Sequence, residues 1–233
     1  MNLNKNLFNI ITQYRDISDS VIISYPITGI KSPAGSIVAF VDLREFGIEE
    51  FEEFGLIKVK DVVDIINIFD KEAELTIENL VINIANSVDT FKYISTEIGV
   101  LEETYRTSIA MLEKTKQAEC AIEFKLTSPE LTRIKKLSSF GKAEHLIIKD
   151  GGGKVVLSTE QPDQKNSNGL SVTPSEGNVF VPATKISIGI DNFKKLPDDE
   201  YKVKVAKNGK AYITRFDSMT KPGVVINIAT KAM

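Results

Sequence analysis

Apolar residues fall in short clusters along the chain, and their spacing alternates between two periods. Leu3, Leu7, Ile10, Ile11 and Tyr14 recur at helical spacing and predict an amphipathic helix over Leu3–Arg15. Val21–Tyr25 and Ser36–Phe40 follow as strands, with Pro26, Gly29, Pro33 and Gly35 marking turns between them. Leu56–Val59 reads as a short strand and Lys60–Phe69 as a second helix, although its many β-branched residues disfavour helix. Glu74–Ile77, Leu80–Ile84 and Thr90–Ile94 are strand candidates. The acidic, aromatic segment Arg44–Gly55 reads as irregular or edge structure, and Glu102–Gln117 as helix or extended linker.

The second half opens with a strand over Cys120–Leu126. Ser128 as N-cap, Pro129 at the first helical position and Glu130 in the first turn predict a helix that runs to Phe140 and stops at Gly141. Leu146–Ile148 and Val155–Leu157 flank Asp150-Gly151-Gly152-Gly153, which predicts a hairpin. Gln161–Gly177 is rich in Ser, Asn, Gly, Gln and Pro and reads as a loop. Strands are expected over Val179–Val181, Lys185–Ile190, Tyr201–Val205, Ala211–Phe216 and Val224–Ala229. Asp191 caps one or two helical turns ended by Pro197, and Asn208-Gly209 is the strongest hairpin signal in the chain.

The order helix, strand, strand thus occurs about four times, beginning near Met1, Leu56, Glu119 and Thr184. Repetition at this length predicts duplicated architecture rather than a solenoid. With 233 residues there is room for two domains, and the boundary is placed in the polar stretch: residues 1–103, a connector over 104–118, and residues 119–233.

Charge changes the picture more than composition does. The net charge of −3 predicts no polyanion partner, but Val41–Glu103 carries 16 acidic residues against 5 basic, whereas Thr184–Met233 carries 10 basic against 5 acidic. Such asymmetry can hide a basic surface within an acidic total. A single cysteine, Cys120, excludes an internal disulfide framework and fits a reducing compartment. Apolar runs are too short to span a bilayer, and MNLNKNLFNII lacks the regions of a signal peptide, so a soluble intracellular protein is expected.

Catalytic constellations are weak. Gly151-Gly152-Gly153-Lys154 leads into Val155-Val156-Leu157 and not into a helix, so it reads as a turn rather than a phosphate loop. His145 is the only histidine, which rules out a histidine cluster. Cys120 lies in a strand, and the carboxylates of Glu102-Glu103 and Asp198-Asp199-Glu200 are adjacent loop residues of the solvated kind. No metal site, cofactor or enzymatic activity is expected.

Three segments carry a resemblance: LNKNLFNIITQYRDISDSVIIS, AIEFKLTSPELTRIKKLSSFGKAEHLIIKDGGGKVVLS and KISIGIDNFKKLPDDEYKVKV. In element order and length the chain resembles the ring-shaped DNA sliding clamps, specifically the tailed-phage processivity clamps related to PCNA. The resemblance implies an α+β DNA-clamp fold, with two similar domains, each with two helices packed on antiparallel sheets. It implies a homotrimeric ring around double-stranded DNA, an ATP-driven loader, a tethered DNA polymerase and a cytoplasmic setting, in the host cell if the chain is of phage origin. Residues 44–54 depart from that pattern.

A clamp needs long, mobile cations facing phosphates without base readout. The polar face of the first helix holds Lys5, Asn9, Thr12 and Gln13, with Arg15 at its edge. On the helix after Pro129 it holds Thr132, Lys135, Lys136 and Ser139, with Arg133 at the margin and Lys142 beyond. Lys60, Lys194 and Lys195 come from the other two helices, with Asp61 and Asp64 weakening the Lys60 helix. The partner-peptide pocket is expected near Gln161–Gly177 or Ile226–Met233. The rival reading is a β-rich structural protein of a virion or other assembly.

Overall fold

The computed structural model describes residues 3–69, 73–160, 170–208 and 211–233, apart from the side chains of Glu160 and Asn208. Gln161–Gly169, and Gly209 of the expected Asn-Gly turn, lie outside the described residues. The chain forms two compact units, Met1–Ile109 and Ala110–Met233.

In the first unit, α1 (Lys5–Thr12) is capped by the Asn4 side chain, which accepts from the Asn6 N–H at 2.8 Å. It is shorter than the apolar spacing suggests, because the chain turns through Gln13–Ile17. Leu7, Phe8, Ile10 and Ile11 are buried. Strands β1 (Val21–Ile23), β2 (Ile27–Lys31), β3 (Ile37–Asp42) and β4 (Phe54–Leu56) form an antiparallel set in the order β4-β1-β2-β3.

Strand β2 was hidden behind its turn residues. Pro26 lies just before it, and Ser32–Gly35 makes the turn after it, with the Gly35 N–H donating to the Ser32 carbonyl at 2.8 Å. Gly29 sits inside β2 for a steric reason: a methyl group there would lie 1.7 Å from Thr107 Oγ1. The absent side chain lets residues after the next helices press on the strand.

Helix α2 (Val59–Ile68) packs against α1 and buries Val59, Val62, Val63 and Ile66. Its β-branched residues cost propensity, but burial on one face outweighs that. Then β5 (Glu74–Glu78), β6 (Val81–Ala85) and β7 (Thr90–Ile94) form a three-stranded antiparallel sheet with β7 at one edge. The stretch left between helix and linker is helical: α3 (Ile98–Tyr105) and α4 (Ile109–Gln117).

The acidic segment is pinned from both sides. Leu43–Phe46 is a single 3-10 turn, Phe51 stacks edge-on with Tyr25 at 6.1 Å, and Glu53 receives two hydrogen bonds from Arg106 at 2.9 and 3.0 Å.

Among the described residues of the second unit, nine strands form one antiparallel path, β11-β10-β9-β13-β16-β15-β14-β8-β12. Their ranges are β8 (Glu119–Leu126), β9 (His145–Asp150), β10 (Val155–Glu160), β11 (Ser171–Val172), β12 (Gly177–Val179), β13 (Lys185–Gly189), β14 (Tyr201–Asn208), β15 (Ala211–Ser218) and β16 (Val224–Ala232). Two short strands thus occupy the end of the stretch expected to be loop, and the strand expected at Val179–Val181 starts earlier, where Gly177–Val179 pairs with Phe124–Ile122.

The turn after β9 is the expected hairpin. Gly152 and Gly153 adopt φ 82° and 86°, and Asp150 accepts from the Gly153 N–H at 2.7 Å and the Ala183 N–H at 3.1 Å. Those two bonds hold its carboxyl below the ordinary aspartate range.

Helices α5 (Ser128–Phe140) and α6 (Ile190–Lys194) pack against each other. Among the described residues, α1 and α2 are followed by four and three strands, and α5 and α6 by five and three, so each unit holds a pair of helices with antiparallel sheets, besides α3 and α4 between them in sequence. Helix α4 is fastened to the second unit's sheet by polar groups: Arg215 Nη1 donates to the Leu112 carbonyl at 3.3 Å, and Asn227 Nδ2 to Thr115 Oγ1 at 3.4 Å.

Candidate nucleic-acid interface

The site is built on α5 and α6. The N-cap of α5 is Thr127, one residue earlier than the sequence suggests: Glu130 Oε2 accepts from the Thr127 N–H at 2.9 Å and from its hydroxyl at 2.8 Å. This reciprocal cap fixes the start of the helix. Leu131, Ile134 and Ser138 are buried and set its inner row. On α6, Ile190 and Phe193 are buried, and Phe193 and Tyr201 each meet Phe216 edge-on at 6.3 and 5.8 Å. Those aromatic contacts lock α6 to the strands beneath it.

With Leu131, Ile134 and Ser138 inward, the outermost row of α5 is Arg133, Lys136, Leu137 and Phe140. That is about one position round the helix from the polar face expected at Thr132, Lys135, Lys136 and Ser139. Arg133 and Lys136 are exposed and make no salt bridge among the described residues. Lys142 is exposed just past the C-cap Gly141, in the left-handed region at φ 48°. Lys194 and Lys195, at the end of α6, are half-buried.

Lys135 has a different environment. Its ammonium donates to the Leu196 carbonyl and pairs with Asp198 at 3.1 Å, which ties α5 to the turn after α6. Asp199, beside it, is buried and accepts from the hydroxyls of Ser218 (2.7 Å) and Thr220 (2.5 Å). These bonds hold the turn that Lys135 reaches.

In the first unit the packed helices α1 and α2 carry Lys5 and Lys60, while Gln13 is the C-cap of α1 and Arg15 lies in the turn beyond it, not on the helix face expected for them. Gln13, Arg15 and Lys60 are exposed, and Lys5 is half-buried. Asp61 and Asp64 are exposed on the same helix as Lys60, so this pair is close to neutral, while the α5–α6 pair is basic.

Lysines on the second unit's sheet differ in kind. Lys202 pairs with Glu123 at 3.1 Å, Lys204 with the same carboxylate at 3.8 Å, and Lys125 with Glu200 at 3.1 Å. Cross-strand carboxylates thus engage Lys125, Lys202 and Lys204, whereas Arg133 and Lys136 on α5 have no salt-bridge partner among the described residues.

Other candidate chemistry is accounted for locally. His145 Nδ1 shares a 3.0 Å hydrogen bond with the Ser187 hydroxyl. Cys120 is half-buried, and burial pushes its thiol pKa up, with Glu123 adding to the effect. Among the described residues, no three His, Cys, Asp or Glu side chains converge as metal ligands would. No helix among the described residues is long and apolar enough to cross a membrane. Ile226 and Ile228, in the expected pocket region, are buried within β16. Glu176 and Gly177, at the end of the other, line a shallow hollow with Glu123, Lys125, Lys202 and Met219.

Sequence reasoning missed Leu137 and Phe140, 41% and 86% exposed. Both are apolar and suggest core. The signal available was their phase, since neither falls on the Leu131, Ile134, Ser138 row.

No protein-family model matches this chain, and no curated relative does. Its fold, however, has close counterparts among solved structures. A chain of the PCNA2–PCNA3 complex of Sulfolobus tokodaii superposes with a TM-score of 0.65 at 14% identity, covering 99% of both chains. The proliferating cellular nuclear antigen of Entamoeba histolytica gives 0.66 at 12% identity, over 99% of this chain and 97% of that one. The A. fulgidus PCNA, solved with the C-terminal region of FEN-1, gives 0.68 at 11% identity, over 100% and 97%. The chain therefore has the DNA-clamp fold from end to end.

Proposed function

We propose that this chain is a sliding clamp: copies of it close into a ring around duplex DNA and tether a polymerase for processive synthesis. The observation that carries the reading is the contrast in charge between helix and sheet. On a clamp fold, Lys125, Lys202 and Lys204 of the sheet meet carboxylates, while Arg133 and Lys136 on α5 have no such partner among the described residues.

Cations of this kind hold a polyanion without reading its sequence. Lys142, Lys194 and Lys195 supplement them, Lys5, Gln13, Arg15 and Lys60 contribute from the first unit, and Lys135 serves chiefly to brace α5. Sliding requires this looseness, since no side chain need commit to a base edge. The role is non-enzymatic. Tethering raises the polymerase's effective concentration at the primer end, which lengthens synthesis with no change in chemistry.

The finer reading is a homotrimer of the tailed-phage kind, opened by an ATP-driven loader and working in the cytoplasm of the host. The three segments that resemble phage clamps support it. Ring closure calls for free strand edges, and β7 offers one: Phe91 and Ile94 are 38% and 72% exposed along it.

Light scattering together with single-particle imaging tests the proposal. A particle of three times the chain mass with a central hole wide enough for a duplex is expected. A monomer at micromolar concentration, or an open-ended polymer, refutes the ring and favours a structural assembly protein.

A further inference from the structure

Cations alone do not account for the outer face of α5. Arg133, Lys136, Leu137 and Phe140 are spaced by three and four residues, so they are mutual neighbours on one helical surface. Two of the four are apolar, and Phe140 is 86% exposed at the very end of the helix. A surface built only to repel bases and hold phosphates has no use for an exposed aromatic ring there. Acidic residues nearby do not pair with the two cations among the described residues: Glu130 accepts from the Thr127 N–H and hydroxyl, and Glu144 lies beyond Lys142 on the chain.

The chemistry that matches this patch alternates negative charge with flat apolar faces. An intact duplex offers phosphates but keeps its base faces stacked inside. An unpaired strand offers both, and base–aromatic stacking beside a cationic track is tolerant of sequence because every base has a π-face. Charge complementarity selects this occupant over a neutral apolar peptide.

We infer that Arg133, Lys136, Leu137 and Phe140 form a contact site for an unpaired stretch of nucleic acid, its phosphates on the two cations and a base stacked on Phe140. The inference rests on the reading of α5 as a nucleic-acid-facing helix. It gives the protein a means of distinguishing a junction with unpaired template from continuous duplex.

The chain contains no tryptophan, so Phe140→Trp introduces a single indole at the site. This full-length variant is titrated with oligothymidylate, with a blunt duplex of equal length, and with phosphatidylserine vesicles. Saturable loss of indole emission with oligothymidylate, and less with duplex, is expected. Phe140→Ala should lower the preference for oligothymidylate over duplex by about 5- to 150-fold, the span of one base–aromatic stack. Unchanged emission with oligothymidylate, while duplex still binds through Arg133 and Lys136, overturns this inference and leaves the clamp reading standing. Emission that responds to vesicles but not to oligothymidylate, or to protein concentration alone, also overturns it by naming a lipid surface or a second copy as the occupant. Failure of the wild-type protein to bind any nucleic acid overturns the reading of α5 itself.

Discussion

Replacing Arg133 and Lys136 together with alanine removes the two cations on α5 that no carboxylate neutralises among the described residues. Each phosphate neutralised on B-form DNA contributes about 0.9 to the slope of log affinity against log salt. The double variant should therefore flatten that slope by about 1.8 for each copy in contact. Extrapolated from 1 M to about 0.1 M salt, this corresponds to a loss of affinity of roughly 60-fold. Fluorescence anisotropy of a labelled duplex, read at four salt concentrations, measures both quantities. Both side chains are exposed, so thermal or denaturant stability should change by no more than about 0.5 kcal/mol. The matched control is Lys202→Ala with Lys204→Ala, which deletes charges already paired with Glu123 and should move the slope far less. Parallel salt plots for the wild type and the Arg133/Lys136 variant would refute the reasoning. So would an equal effect from the control.

Asp198→Asn should free Lys135 to meet phosphate and steepen the same slope by about 0.9; adding Lys135→Ala in that background should cancel the gain, and denaturation of the Asp198→Asn variant should show no more than about 1 kcal/mol lost, because the Asp198 side of the pair is exposed. Ile134→Ala opens a void beneath α5, where the side chain is fully buried, and should cost about 2–5 kcal/mol in denaturant unfolding. Ile94→Lys places a charge on the exposed β7 edge and should shift the sedimenting species towards single chains, while the folded monomer keeps its circular dichroism. Burial raises the Cys120 thiol pKa, so the folded protein holds less thiolate than the unfolded chain near pH 8; iodoacetamide should label it more slowly when folded, and faster as pH climbs through the raised value.

Local signals were legible wherever a short stretch carried its own geometry. Helix α5 is announced by Pro129, Glu130 and Gly141, and the β9–β10 turn by three consecutive glycines, because caps and turns depend on neighbours a few residues away. Strand β2 was not legible, since Pro26, Gly29, Pro33 and Gly35 read as one continuous turn region. Gly29 is there because Thr107 presses on the strand from far along the chain, and sequence spacing carries no trace of that. Helices α3 and α4 were equally obscure: each buries a single residue, Leu101 and Thr115, so no apolar stripe marks them.

The amino-acid order by itself determined the type and place of most of the main elements, the recurring helix–strand order, and the shift from an acidic first half to a basic end. Those depend on periodicity, capping and charge count, which are properties of neighbours along the chain. Only the tertiary structure decided which cations remain available. Lys135 meets Leu196 and Asp198 across 61 and 63 residues, and Lys202 and Lys204 find Glu123 on the adjacent strand, while Arg133, Lys136 and Phe140 face outward because Leu131 and Ile134 take the core. Ion pairing and burial are settled by distance in space, and that is fixed only once the sheets and helices have packed.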